Sequence, residues 1–75
     1  MPYIKIKAYP KDEAVKARVA ERIHQVFLEE WGCPSEAISL SFEEVSPELW
    51  ENQVDRPEVE ANRERMHIYH GQKKY

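Results

Sequence analysis

Apolar and polar residues alternate at the head of the chain. Ile4, Ile6 and Ala8 fall on one side, Tyr3, Lys5, Lys7 and Tyr9 on the other. A period of two predicts a half-buried strand, which Pro10 closes. Asp12 then stands where a helix N-cap is wanted. Between Glu13 and Trp31 the apolar residues are Val15, Val19, Ile23, Val26, Phe27 and Trp31, a stripe along one face of a helix of about five turns. Gly32 supplies the stop and Pro34 follows it. A second alternation sets Ile38, Leu40 and Phe42 against Ser39, Ser41 and Glu43, predicting a second strand that runs on to Val45.

Strand, long helix, strand is a β-α-β unit, so the two strands are expected to be parallel with a right-handed crossover. After Val45 the chain turns polar. Ser46-Pro47 predicts a short helix reaching about Gln53, and Pro57 a further one reaching about Met66. The large apolar residues here are Leu49, Trp50, Val54, Val59, Met66 and Ile68, few enough to suggest a cover rather than a second core. The expected fold is α+β, one domain over residues 1–75, with a short helical extension. Two parallel strands and one helix leave both sheet edges open. Pairing two copies about a twofold axis would complete a four-stranded sheet, so a homo-oligomer is expected.

Composition narrows the options. At 75 residues the core is small, and the single cysteine, Cys33, excludes an internal disulfide. Neither a secretory apolar segment nor a membrane span is legible, which sets a cytoplasmic expectation with no membrane partner. A net charge of −3 argues against nucleic acid as a partner. The densest basic pair, Lys73-Lys74, sits in a tail expected to fray. His67 and His70, with His24, do not make a convincing zinc set, and no metal or cofactor is expected.

The residue with most chemical potential is Pro2. Met-Pro starts are commonly trimmed, and trimming leaves a secondary amine at the head of a strand, a general base that no internal side chain can imitate. The plainer alternative is a proline tolerated as a first strand residue, where a missing N–H costs nothing.

Met-Pro before an aliphatic alternation, Asp12-Glu13 opening a long helix with Lys16 early in it, the Gly32-Cys33-Pro34 break and the second strand together resemble the tautomerase superfamily, 4-oxalocrotonate tautomerase type. Pro47-Glu48-Leu49-Trp50 and the longer C-terminal part are most similar to its small dimeric, PptA-like branch. The resemblance covers nearly the whole chain. It implies a cofactor-independent isomerase in which the amine of Pro2 moves a proton on a 2-oxo or enol acid. A homodimer is then expected, with a trimer of dimers as the alternative.

The same resemblance proposes substrate-binding residues. Lys11 stands about where the family's best-known members place an arginine for the substrate carboxylate; otherwise it is a solvated turn lysine. Ser39 occupies the second-strand position of another family arginine, and a serine brings a hydrogen bond but no charge. That disfavours a muconate-type diacid and favours an arylpyruvate-like substrate. Trp50 offers an apolar wall, or else plugs a subunit interface. Phe27 and Phe42 read as core. Arg56, Arg63 and Arg65, interleaved with glutamates, read mainly as i,i+4 surface pairs. Two other readings stay open: a hydratase or dehalogenase of the same superfamily with Glu48 or Glu51 activating water, and a non-catalytic oligomeric module.

Overall fold

A computed structural model describes residues 1–75. The chain divides into two compact units, Met1–Val45 and Ser46–Tyr75. The first is the β-α-β unit. Strand β1, Tyr3–Ala8, pairs in parallel with β2, Ser39–Glu44, in a register that sets Tyr3 opposite Ser39 and Ala8 opposite Glu44. Alternation puts Ile4, Ile6, Ala8, Leu40 and Phe42 on one face, all half-buried. Tyr3, Lys5, Ser39, Ser41 and Glu43 line the other face and are exposed. On that polar face Lys5 pairs with Glu43 at 2.9 Å, a diagonal cross-strand contact.

Helix α1, Glu13–Val26, starts where expected: the Asp12 carboxylate accepts a hydrogen bond from the Val15 N–H at 2.8 Å. Its last turn, Phe27–Trp31, widens to π-helical spacing and ends on Gly32 at φ 74°, whose N–H donates to the Phe27 carbonyl. Such left-handed geometry suits glycine. A short 3₁₀ turn, Ser35–Ala37, leads into β2. The helical stripe is only partly covered. Val15, Ile23 and Phe27 are half-buried, whereas Val19 and Val26 remain 39% and 52% exposed.

The second unit departs from expectation at Pro57. Helix α2, Pro47–Trp50, carries Pro47 at its first position, as expected, although the Ser46 hydroxyl makes no capping bond. The chain then stays helical straight through Pro57, as a π-helical stretch Glu51–Val59 and a 3₁₀ stretch Glu60–Arg65. Proline lacks a donor and its ring crowds the preceding turn of an α-helix. A widened turn accommodates both defects, so the chain passes Pro57 without a break and kinks instead at Asn62, at φ −114° and ψ 17°. The surface pairing differs from i,i+4 as well: in the widened stretch Glu51 meets Arg56 five residues on, at 3.1 Å, and in the 3₁₀ stretch Arg63 pairs with its neighbour Glu64.

The tail is not frayed. Strands β3, Ile68–Tyr69, and β4, Gln72–Lys73, form a hairpin whose Lys74 N–H donates to the His67 carbonyl at 2.8 Å. Lys74 also lies over the Tyr69 ring, 5.8 Å from its centroid. His70 and Gly71 form the turn at φ 46° and 82°. His67 and His70 therefore share no helix face, and His70 instead meets Asp55 at 3.3 Å. No helix is long and apolar enough to cross a membrane.

Candidate active site

The two ends of the small sheet carry different chemistry. At the N-terminal end the pairing of β1 with β2 begins at Pro2, whose carbonyl accepts the Ser39 N–H at 3.1 Å. Pro2 is half-buried, and Met1 before it is fully exposed. Pro2 and Ser39 are thus brought together, as the parallel register requires. Nearby in sequence, His24 and Ser35 are hydrogen-bonded at 2.8 Å, tying the last turns of α1 to the segment entering β2. Cys33 Sγ lies 3.7 Å from the Phe27 carbonyl, a packed loop thiol.

At the C-terminal end of the strands, sheet and helix enclose a cavity of about 210 Å³. Its walls are Ile6, Ala8, Tyr9, Phe42, Val15 and Val19, and the charged Lys11, Lys16, Glu43 and Glu44 stand around it. Val15 and Val19 meet β1 residues here, while Lys16, Ala17 and Ala20 share a shallower hollow with Leu40 and Phe42 of β2. The exposed Val19 therefore stands on the β1 side of the helix. Ligand sites usually run from about 300 Å³ upward. The cavity of one chain falls short of that.

Lys11 belongs to this far end. β1 is six residues long, and at about 3.3 Å per residue its ends lie roughly 17 Å apart. A small acid touching Pro2 cannot also touch Lys11 of the same chain. These two residues are not brought together within one chain.

The charges around the cavity are ordered by Glu44. Its carboxylate accepts from Lys16 Nζ at 2.8 Å and from the Lys11 backbone N–H at 3.2 Å. Glu13 adds a second acid to Lys16 at 3.1 Å. The hydrogen bond from Lys16, and then that from the Lys11 amide, hold Glu44 below the usual carboxylate range. Reciprocally, hydrogen bonds to Glu44 and then Glu13 raise Lys16 above its ordinary value, against the opposing effect of desolvation. The ammonium of Lys11 forms no ion pair and is exposed.

Comparison with known proteins decides the family. The tautomerase family, described as "Tautomerase enzyme", matches residues 2–60, most of the chain. The chain belongs to the tautomerase family. Among curated relatives, Tautomerase PptA of Pectobacterium atrosepticum is 31% identical over 64 residues, covering 83% of this chain and 84% of that protein. Tautomerase PptA of Escherichia coli is 35% identical over 66 residues, with coverage of 81% and 88%. A protein named "Probable tautomerase" in Xylella fastidiosa is 31% identical over 67 residues, with coverage of 88% and 82%. The superfamily and PptA-like branch expected from the residues are supported, and the chain is an isomerase of the tautomerase class.

Within this tautomerase, Trp50 closes the first turn of α2 and is half-buried. It belongs to the second compact unit, as do Arg56, Arg63 and Arg65. Arg56 is taken up by Glu51, which also occupies one of the two carboxylates considered for water activation. Sequence reasoning missed the Glu44–Lys16 pair. The residues stand 28 apart, so no local spacing announces them. The available signal was topological: a β-α-β unit returns its second strand so that the strand's end meets the start of the helix.

Proposed function

We propose that this tautomerase interconverts the keto and enol forms of a 2-oxo acid bearing an aryl group, with the amine of Pro2, freed by removal of Met1, as general base and acid. In ketonisation the nitrogen lone pair takes the enol O–H proton. The O–H electrons form the C=O bond, and the C=C pair accepts a proton from the ammonium at the adjacent carbon. Atoms and charge balance without a cofactor. Should Met1 stay attached, the nitrogen is an amide and the mechanism stops.

The observation carrying this reading is the placement of Pro2. It is half-buried at the head of β1, fixed by the Ser39 N–H, and the family match begins with it. Ser39 beside it offers hydrogen bonding without charge, which favours an aryl over a dicarboxylic substrate.

The roughly 17 Å between strand ends supports a site whose second half comes from another copy of the chain. Antiparallel pairing of two β1 edges about a twofold axis would set Pro2 of one copy beside the Ala8–Lys11 end of the other. There the apolar cavity would take the aryl group and Lys11 the carboxylate. Apolar surroundings and a nearby cation both disfavour the ammonium form and poise the amine near neutrality.

The test is Pro2→Ala, together with chemical blocking of the terminal amine. Both should lower turnover of an arylpyruvate enol by about 10²-fold or more while circular dichroism stays unchanged. Intact mass of the active fraction should lack Met1. Full activity in either form would overturn the mechanism.

A further inference from the structure

Glu44 is bound to two groups that matter to the cavity in different ways. Through the Lys11 N–H it holds the turn that carries Lys11. Through Lys16 Nζ, at 2.8 Å, it neutralises the other cation lining the same cavity. The Lys16 side chain is only 16% exposed, so its ammonium lies against the site rather than out in solvent. Glu13, the second acid on Lys16, is 91% exposed on its side chain and screened accordingly. Glu43 also borders the cavity, but its carboxylate is engaged by Lys5 at 2.9 Å. The cavity therefore presents an apolar wall and one unpaired cation, Lys11.

We infer that Glu44 is a charge-selectivity residue: by occupying Lys16 it leaves one free cation at the cavity, so that acids with one carboxylate are accepted and dicarboxylic acids are not. A diacid would have to place its second carboxylate either in the apolar wall or against Glu44. Both are unfavourable, the first by desolvation and the second by repulsion. This is discrimination by a repulsive element rather than by a better contact for the favoured ligand. The inference rests on the proposed function for its biological meaning, because the cavity is assigned there to the substrate. Its physical content concerns binding alone.

Binding of two stable probes tests it without proton transfer. 3-Phenylpropanoate and hexanedioate are titrated against the full chain, followed by the methyl resonances of Ile6, Val15 and Val19. The native protein should bind the monoacid more tightly. Glu44→Gln retains a carbonyl acceptor for the Lys11 N–H but frees Lys16. It should raise the diacid-to-monoacid affinity ratio by about fivefold, the effect of one partly screened ion pair. In the double variant Lys16→Met, Glu44→Gln that gain should vanish, because the released cation is gone. An unchanged ratio in a folded Glu44→Gln protein, or an equal gain in the double variant, would overturn the assignment. So would absence of monoacid binding to the native protein. The two readings fail separately. Turnover with no change in ratio removes the selectivity role alone, whereas a changed ratio in a protein inactive on enols removes the Pro2 mechanism alone.

Discussion

Single residues at the sheet ends set the pH response of the fold. Glu44 and Glu43 are held below the ordinary carboxylate range, chiefly by hydrogen bonds from Lys16 and Lys5 respectively. A carboxyl whose folded value is depressed binds its proton more readily in the unfolded chain. Its stabilisation is therefore complete above the ordinary carboxylate range and is lost as pH falls through the folded value. Lys16 runs the other way: raised in the fold, it contributes fully below its ordinary value and loses that contribution as pH rises past the folded one. Thermal melts should be flat around neutrality and fall below about pH 4. In Glu44→Gln the acid-side decline should be shallower, since one of the two depressed carboxyls is gone. An acid slope unchanged by that variant would mean that Glu44 is not among the groups responsible.

At the scale of elements, the decisive features were those with a local physical cause. The strands announced themselves by alternation, α1 by its stripe and the Asp12 cap, and its end by Gly32. Gly32 gives a clean measure of that legibility. At φ 74° it lies in the left-handed region, and a Cβ built there meets nothing within 4 Å. Gly32→Ala should therefore cost only the backbone term, about 1 kcal/mol. Gly32→Asn should cost less, because asparagine tolerates this region, and urea denaturation would measure both. A larger loss for alanine would point to packing that the open space around Gly32 argues against. Pro57 shows where legibility ended. Proline usually signals a break, but a chain can also widen its turn around it, and which occurs depends on the turns that flank it rather than on the dipeptide. The β3–β4 hairpin was hidden for a related reason. Its turn uses His70 in a conformation that asparagine or glycine would have advertised.

On the scale of the whole molecule, a β-α-β unit with an open β1 edge and an exposed Val19 on the β1 side of the helix is suited to self-association. The expectation of pairing came from sequence; the structure adds that Pro2 and Lys11 stand at opposite strand ends, so the proposed site would draw on two chains. This gives a prediction that single-site variants cannot provide. Pro2→Ala and Lys11→Ala chains, each impaired when pure, should complement when mixed and allowed to exchange. A heterodimer would pair Pro2 of the Lys11→Ala chain with Lys11 of the Pro2→Ala chain at one of its two sites. With half of the dimers mixed, about a quarter of native activity should return. Val19→Glu, at the edge of the apolar flank, should lower both the association constant and the concentration dependence of the melting temperature. If native mass spectrometry shows heterodimers and no activity returns, Lys11 does not serve a site containing another chain's Pro2. If activity returns, the substrate is held by two chains at once, and assembly is a condition of catalysis rather than an accessory to stability.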